Sequence, residues 1–232
     1  MPIFNGILTS INEKEMIRYA GLRQNQDFPP QYIKAAQNEI RLLAKPMGVY
    51  QEYPYHSDSS TIVSSPPLTL LGKSIQKHLY NSQKVYVFSV TVGEDVEDRI
   101  TELFKTGEYT TGLLLDAAAT TAVEQIADQV NELVNGLAKK SGLTPTWRFS
   151  PGYGDWPIEV QKDLAHIIKA DTIGVNVTES SMLFPRKSVT AIIGLKPTLE
   201  ADSSITLNSD TIKNDAKKGC QICTQANCIS RK

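Results

Sequence analysis

The 232-residue sequence predicts a domain built from both helices and strands, followed by a polar tail. Three observations point that way. Helical and strand-like patterns alternate along the chain, most clearly in the apolar run Lys84–Val92 and the breaker-poor stretch Tyr109–Lys140. No linker interrupts residues 1–197, whereas beyond Pro197 the composition turns to Ser, Thr, Asn, Asp and Lys. A Gly-rich nucleotide loop is absent, which argues against a doubly wound parallel sheet built around one. The expected boundaries are a compact domain over 1–197 and a tail over 198–232.

The elements follow in order. Ser10-Ile-Asn-Glu13 has the form of a capping box and predicts a short helix through Met16 and Tyr19, stopping near Gly21. Pro29-Pro30 opens a second helix with Ile33, Ala36, Ile40, Leu43 and Ala44 on one stripe. From Gly48 to Val63 the chain is extended, broken by the polar turn Ser57–Ser60. Pro66-Pro67 marks a break before a short helix around Ile75–Tyr80. The strand Lys84–Val92 then runs into Gly93-Glu94-Asp95 and a charged helix ending near Gly107.

Tyr109–Lys140 reads as one long helix, buried over Leu113–Ala122 because almost no charge interrupts it there. Asp116 and Glu124 are the exceptions, and their spacing puts them on roughly the same face. An acid on an apolar face needs a partner, so a capped or salt-bridged structural acid is one reading of each. After Gly142 the sequence predicts an extended segment over Thr144–Ser150, a turn at Pro151-Gly-Tyr-Gly154 and a helix over Pro157–Lys169. Strands Val175–Leu183 and Val189–Leu195 follow, joined by Phe184-Pro-Arg-Lys187.

Composition narrows the function classes. Lys and Arg total 24 and Asp and Glu 25, giving a net charge of −1 and a pI near 6.3. A nucleic-acid binder or polybasic membrane protein would carry a positive excess, so neither partner is expected. No apolar run approaches the ~20 residues of a membrane span, and Met-Pro-Ile-Phe-Asn does not open like a signal peptide. With three cysteines confined to the tail, a soluble, cytoplasmic protein is expected rather than a disulfide scaffold.

No P-loop, zinc-protease helix, Gly-x-Gly-x-x-Gly or Gly-x-Ser-x-Gly motif is present. His56, His78 and His166 have no metal-ligand spacing and read as ordinary surface or core residues. Arg148-Phe-Ser-Pro-Gly-Tyr153 is the segment that offers chemistry. A guanidinium on extended chain suits a carboxylate, Pro151-Gly152 allows close approach to the backbone, and Tyr153 adds a flat face and a hydroxyl. With a helical acid such as Glu124, these groups would suit a zwitterionic amino-acid ligand. A polar turn carrying a surface arginine is the alternative.

Val90-Thr-Val-Gly93, Leu114-Leu-Asp116, Ala122-Val-Glu124, Arg148-x-x-Pro-Gly-Tyr153, Val177-Thr-Glu-Ser180, Pro185 and Ser188-Val189 occur in that order. This series resembles the S-adenosylmethionine-binding activation domain of cobalamin-dependent methionine synthase. The collinear match covers roughly residues 80–197. The resemblance implies one α+β domain with a curved, mostly antiparallel sheet flanked by helices. It also implies that Glu124, Arg148, Pro151, Gly152 and Tyr153 contact S-adenosylmethionine, with Ile193 and Gly194 on the adenosyl side. Tyr153 would face the corrinoid during methyl transfer.

This sequence departs from the family in three places. Gly154-Asp-Trp-Pro157 replaces the family's Pro-Ala-Cys-Pro, Ile193 and Gly194 stand where aromatic residues are more usual, and an acidic contact early in the domain has no counterpart. The implied function is a standalone activation subunit supporting reductive methylation of cob(II)alamin to methylcobalamin. The chain has no corrinoid-binding Asp-x-His-x-x-Gly motif, homocysteine zinc site or folate barrel. A corrinoid-binding methionine synthase polypeptide and a flavodoxin or ferredoxin-like electron donor are therefore the expected partners. Another corrinoid methyltransferase is an alternative client.

The tail sequence Cys220-Gln-Ile-Cys223-Thr-Gln-Ala-Asn-Cys228 has a C-x2-C pair with the bite of a zinc or iron–sulfur ligand set. A fourth ligand would have to come from elsewhere. Two readings stay open: a reduced, reactive tail, and a metal- or cluster-binding regulatory protein in which these cysteines carry the function.

Overall fold

In the computed structural model the described residues are 1–22 and 29–198, so Cys220, Cys223 and Cys228 lie outside them. The strands are β1 (Ile3–Asn5), β2 (Met47–His56), β3 (Thr61–Ile62), β4 (Leu68–Thr69), β5 (Lys84–Thr91), β6 (Leu143–Pro145), β7 (Asn176–Val177), β8 (Leu183–Phe184) and β9 (Ser188–Pro197). The helices are α1 (Glu13–Tyr19), α2 (Pro30–Leu43), α3 (Lys73–His78), α4 (Glu94–Lys105), α5 (Tyr109–Lys140) and α6 (Gln161–Ile167). Short 3-10 turns at Ile158–Val160 and Ala170–Ile173 flank α6.

The architecture is α+β. A seven-stranded, mostly antiparallel sheet runs β4-β3-β2-β5-β9-β6, with β1 paired to β2. β5 and β9 are inner strands, and seven of the eight residues of β5 are buried. That explains why Val85–Phe88 reads as a continuous apolar run rather than an alternating one: neither face of the strand meets water.

The chain divides into two compact units. Of the described residues, one unit holds those within Met1–Tyr50, Ser89–Val130 and Ile168–Val189; the other holds Gln51–Phe88, Asn131–Ile167 and 190–198. Four of the five crossings fall within β2, β5, α5 and β9, so the chain passes between units inside regular elements and no linker shows in the sequence.

In the first unit, α2 buries Ile33, Ala36 and Ile40 as its stripe predicts, and α4 buries Val96, Glu97, Ile100 and Leu103. Glu94, Asp95 and Glu97 in the first turn of α4 oppose the positive end of the helix dipole. The α5 stretch Leu114–Ala119 is buried apart from half-buried Asp116, while Leu113 is exposed. In the second unit, Ile62, Leu70, Ile75, Leu79, Val85, Val87 and Phe88 form the core with Trp156, Leu164, Ile192 and Ile193.

Two local expectations are corrected. The Ser10–Glu13 capping box does not form: Gln125 donates to the Ser10 carbonyl, and Asn12 becomes the N-cap, accepting the Glu15 amide. A tether from α5 thus outcompetes the local motif. The expected strand Val175–Leu183 is instead a hairpin of β7 and β8. Its turn closes on Thr178, whose hydroxyl accepts the Met182 amide at 3.1 Å while its own amide donates to the Met182 carbonyl at 2.8 Å. That hydroxyl satisfies locally a backbone group that a continuous strand would pair with a neighbour.

Candidate functional site

The Arg148–Trp156 segment leaves β6 and is tied back to β9 by a bridge between Phe149 and Ile192. It then turns sharply. The Tyr153 amide donates to the Ser150 carbonyl, the Trp156 amide to Tyr153, and the Gly152 amide to Trp156. Phe149, Pro151 and Trp156 are buried, Arg148 is half-buried, and Tyr153 stands 50% exposed at the tip. Burial at both ends of the segment anchors the turn while residues 152–155 stay in water.

Aromatic rings support it from below. The Phe149 ring lies 5.0 Å from His78, 5.1 Å from Trp147, 5.6 Å from Tyr153 and 5.9 Å from Trp156, centroid to centroid. Trp147 and Trp156 are the chain's two tryptophans, so both sit in this cluster. His78 Nε2 is 2.9 Å from the Trp147 carbonyl and 2.9 Å from Thr146 Oγ1. Burial lowers its pKa to about 4, the Lys196 ammonium adds to the shift, and the bond to the Trp147 carbonyl opposes it. The imidazole is therefore neutral at neutral pH, a packing group rather than a proton carrier.

The far end of the turn is held by α3. Asp155 accepts the Lys73 and Ser74 amides at 2.8 Å each, and bonds from Ser74 and Lys73 lower its pKa to about 2. Gly154 has φ +59°, and a Cβ there would lie 2.5 Å from Ser74 Oγ, so this position excludes a side chain on two counts.

Ile193 and Gly194 are interior β9 residues. Ile193 is fully buried; the Gly194 amide donates to Thr146 Oγ1, and its carbonyl accepts the Thr146 amide.

Glu124 belongs to the α5 portion in the first unit, half-buried. Burial raises the Tyr19 pKa and the nearby Glu124 carboxylate raises it further, while Arg18 lies 4.1 Å over the Tyr19 ring. Asp116 is the salt-bridged structural acid: its Oδ1 is 2.8 Å from Lys187 Nζ, which also donates to Thr120 Oγ1. Several motif residues of the sequence converge here. Ser188 donates to Thr91 Oγ1, Gly93 donates to the same oxygen, and the Thr91 hydroxyl reaches the Lys187 carbonyl. Buried Glu97 accepts both the Arg186 amide and its Nε.

Sequence reading missed the roles of Asp155, Glu97 and Lys187, whereas His78 is the ordinary packing residue it was expected to be. The Trp147, Phe149, Tyr153, Trp156 spacing was a visible signal for the aromatic platform. Asp155 stood out only as part of a departure from the family pattern, and Glu97 and Lys187 depend on partners distant in sequence and had no signal. Among the described residues no group of three or more His, Cys, Asp or Glu could hold a metal ion, and no helix is long and apolar enough to cross a membrane.

No protein-family model matches the chain, and no curated protein matches it significantly. Solved structures do match. A crystal structure of the MetH reactivation domain bound to AdoHcy superposes with a TM-score of 0.58 at 14% identity, covering 86% of this chain and 80% of that one. The protein therefore has the fold of the MetH reactivation domain.

Proposed function

We propose that the protein binds S-adenosylmethionine at the Arg148–Tyr153 turn and acts as an activation subunit for a corrinoid-dependent methionine synthase carried on another polypeptide. One observation carries the reading. The Arg148-x-x-Pro-Gly-Tyr153 motif lies on a turn with buried anchors and a half-exposed tyrosine, in a chain with the reactivation-domain fold.

The residues fit the amino-acid end of such a ligand. Half-buried Arg148 offers a planar fork to its carboxylate, and Gly152, at φ +85°, lets it approach the backbone. Tyr153 would cover the bound group and meet the corrinoid partner. Bound S-adenosylmethionine supplies an activated methyl group whose irreversible transfer draws the uphill reduction of cob(II)alamin forward. The chain's own part is positioning, which needs no general base, and His78 is held neutral and hydrogen-bonded. The electron comes from a flavodoxin or ferredoxin-like donor.

Calorimetry of the full chain with S-adenosylmethionine tests the reading, with tryptophan fluorescence as a second signal because both tryptophans flank the turn. Saturable heat with a fluorescence change is expected. Neither signal at millimolar ligand would remove the proposal.

A further inference from the structure

We infer that Asp155 is a positioning residue that locks the Arg148–Trp156 turn against the start of α3 and so fixes how Tyr153 is presented. This rests on the reading of that turn as the ligand site. Tyr153 lies between two glycines with positive φ, Gly152 and Gly154, and a segment of that composition has wide conformational freedom. Locally, the Tyr153 amide donates to Ser150, the Trp156 amide to Tyr153 and the Gly152 amide to Trp156. Asp155 adds two contacts of another kind, to amides more than 80 positions away in sequence, each at 2.8 Å.

Both carboxylate oxygens are used, one per amide, so the group is fixed in rotation as well as in distance. Gly154 presses against Ser74, the same residue whose amide Asp155 accepts, so the two clamp one point of α3. Hydrogen bonding from the Ser74 side chain first, then from the Ser74 and Lys73 amides, lowers the Asp155 pKa and keeps the clamp charged across the physiological range. This also gives the Gly154-Asp-Trp-Pro157 departure a purpose, because Gly154 provides the close approach and Asp155 the tie.

The experiment compares the full wild-type chain with Asp155→Ala and Asp155→Asn. It measures amide hydrogen exchange at Gly152, Tyr153 and Trp156, tryptophan emission, and S-adenosylmethionine affinity by calorimetry. Losing a side-chain cap of this type corresponds to roughly threefold to thirtyfold, the weakening expected for Asp155→Ala, with faster exchange at all three amides. Asp155→Asn keeps one acceptor oxygen and should fall between; it carries the test if the alanine variant does not fold.

A residue that merely caps α3 would speed exchange at Lys73 and Ser74 and leave the turn amides and affinity unchanged, which overturns the proposal. A loosened turn with wild-type affinity overturns it too. If the wild type shows no S-adenosylmethionine binding yet the variants loosen the turn, the ligand reading falls and the clamp stands.

Discussion

His78 is packed edge-on to Trp147, whose carbonyl it meets at 2.9 Å, and nearly face to face with Phe149 at 5.0 Å. A half-buried imidazole so enclosed links the stability of the aromatic platform to pH. Its folded pKa of about 4 lies below the ordinary 6.5, so folding favours the neutral form. Stability is fully present above pH 6.5 and is lost as pH falls toward 4. At 1.36 kcal/mol per unit the full loss is on the order of 3 kcal/mol. Urea unfolding at pH 7.5 and 4.5 should show the drop in wild type and a smaller one in His78→Gln. Equal drops would remove His78 as the cause.

The Lys187–Asp116 pair should respond unequally to its two truncations. Asp116→Ala strands a lysine whose side chain is only 14% exposed, whereas Lys187→Met leaves an aspartate that water reaches, 37% exposed. The first should cost about 1–3 kcal/mol and the second less than about 1 kcal/mol. Thermal or urea unfolding gives the order, and the reverse order would contradict the burial argument.

Gly194→Ala should destabilise the second unit by about 1–3 kcal/mol, because the new methyl would lie 2.5 Å from Ser82 Oγ and 2.8 Å from Leu79 Cδ2. Ser82 Oγ is buried without a hydrogen-bond partner, so little is lost by removing it. Adding Ser82→Gly should therefore recover part of the cost, and a double mutant at the additive sum would show that the clash lies elsewhere.

Arg148→Ala should weaken S-adenosylmethionine by roughly tenfold to over a hundredfold, the value of a charge-assisted carboxylate contact. Arg148→Lys should recover only part, since an ammonium lacks the planar fork. Calorimetry reads both. Wild-type affinity in the two variants would move the carboxylate away from this residue.

Tyr153→Phe keeps the ring contact with Phe149 and removes the hydroxyl. Near-normal S-adenosylmethionine binding and altered reductive methylation are expected when cob(II)alamin, its carrier protein and an electron source are supplied. A lower melting temperature with an unchanged rate per folded molecule would assign the hydroxyl to the turn alone.

The site was partly legible. Arg148, Gly152 and Tyr153 share one hexapeptide, so their proximity follows from chain connectivity, and a turn at Pro151-Gly152 needs only local geometry. Asp155 was visible only as a departure from a family pattern, because its bonding partners lie on α3, about 80 positions upstream. Asp116 announced that it needed a partner, being an acid in an apolar stretch, but nothing in the sequence identified Lys187 as that partner.

What the sequence determined by itself is the class of each long element. The stripe Ile33, Ala36, Ile40, the apolar run Val85–Phe88 of β5 and the breaker-poor length of α5 are signals that any burying environment would read the same way. Tertiary structure decided which short motifs were used: Gln125 moved the first helix cap from Ser10 to Asn12, and Thr178 folded an expected strand into a hairpin. It also decided which acids became clamps. Periodicity is summed over many residues and survives local competition, whereas a cap, a turn or an ion pair rests on one or two bonds of about 1 kcal/mol each, so a single distant partner redirects it.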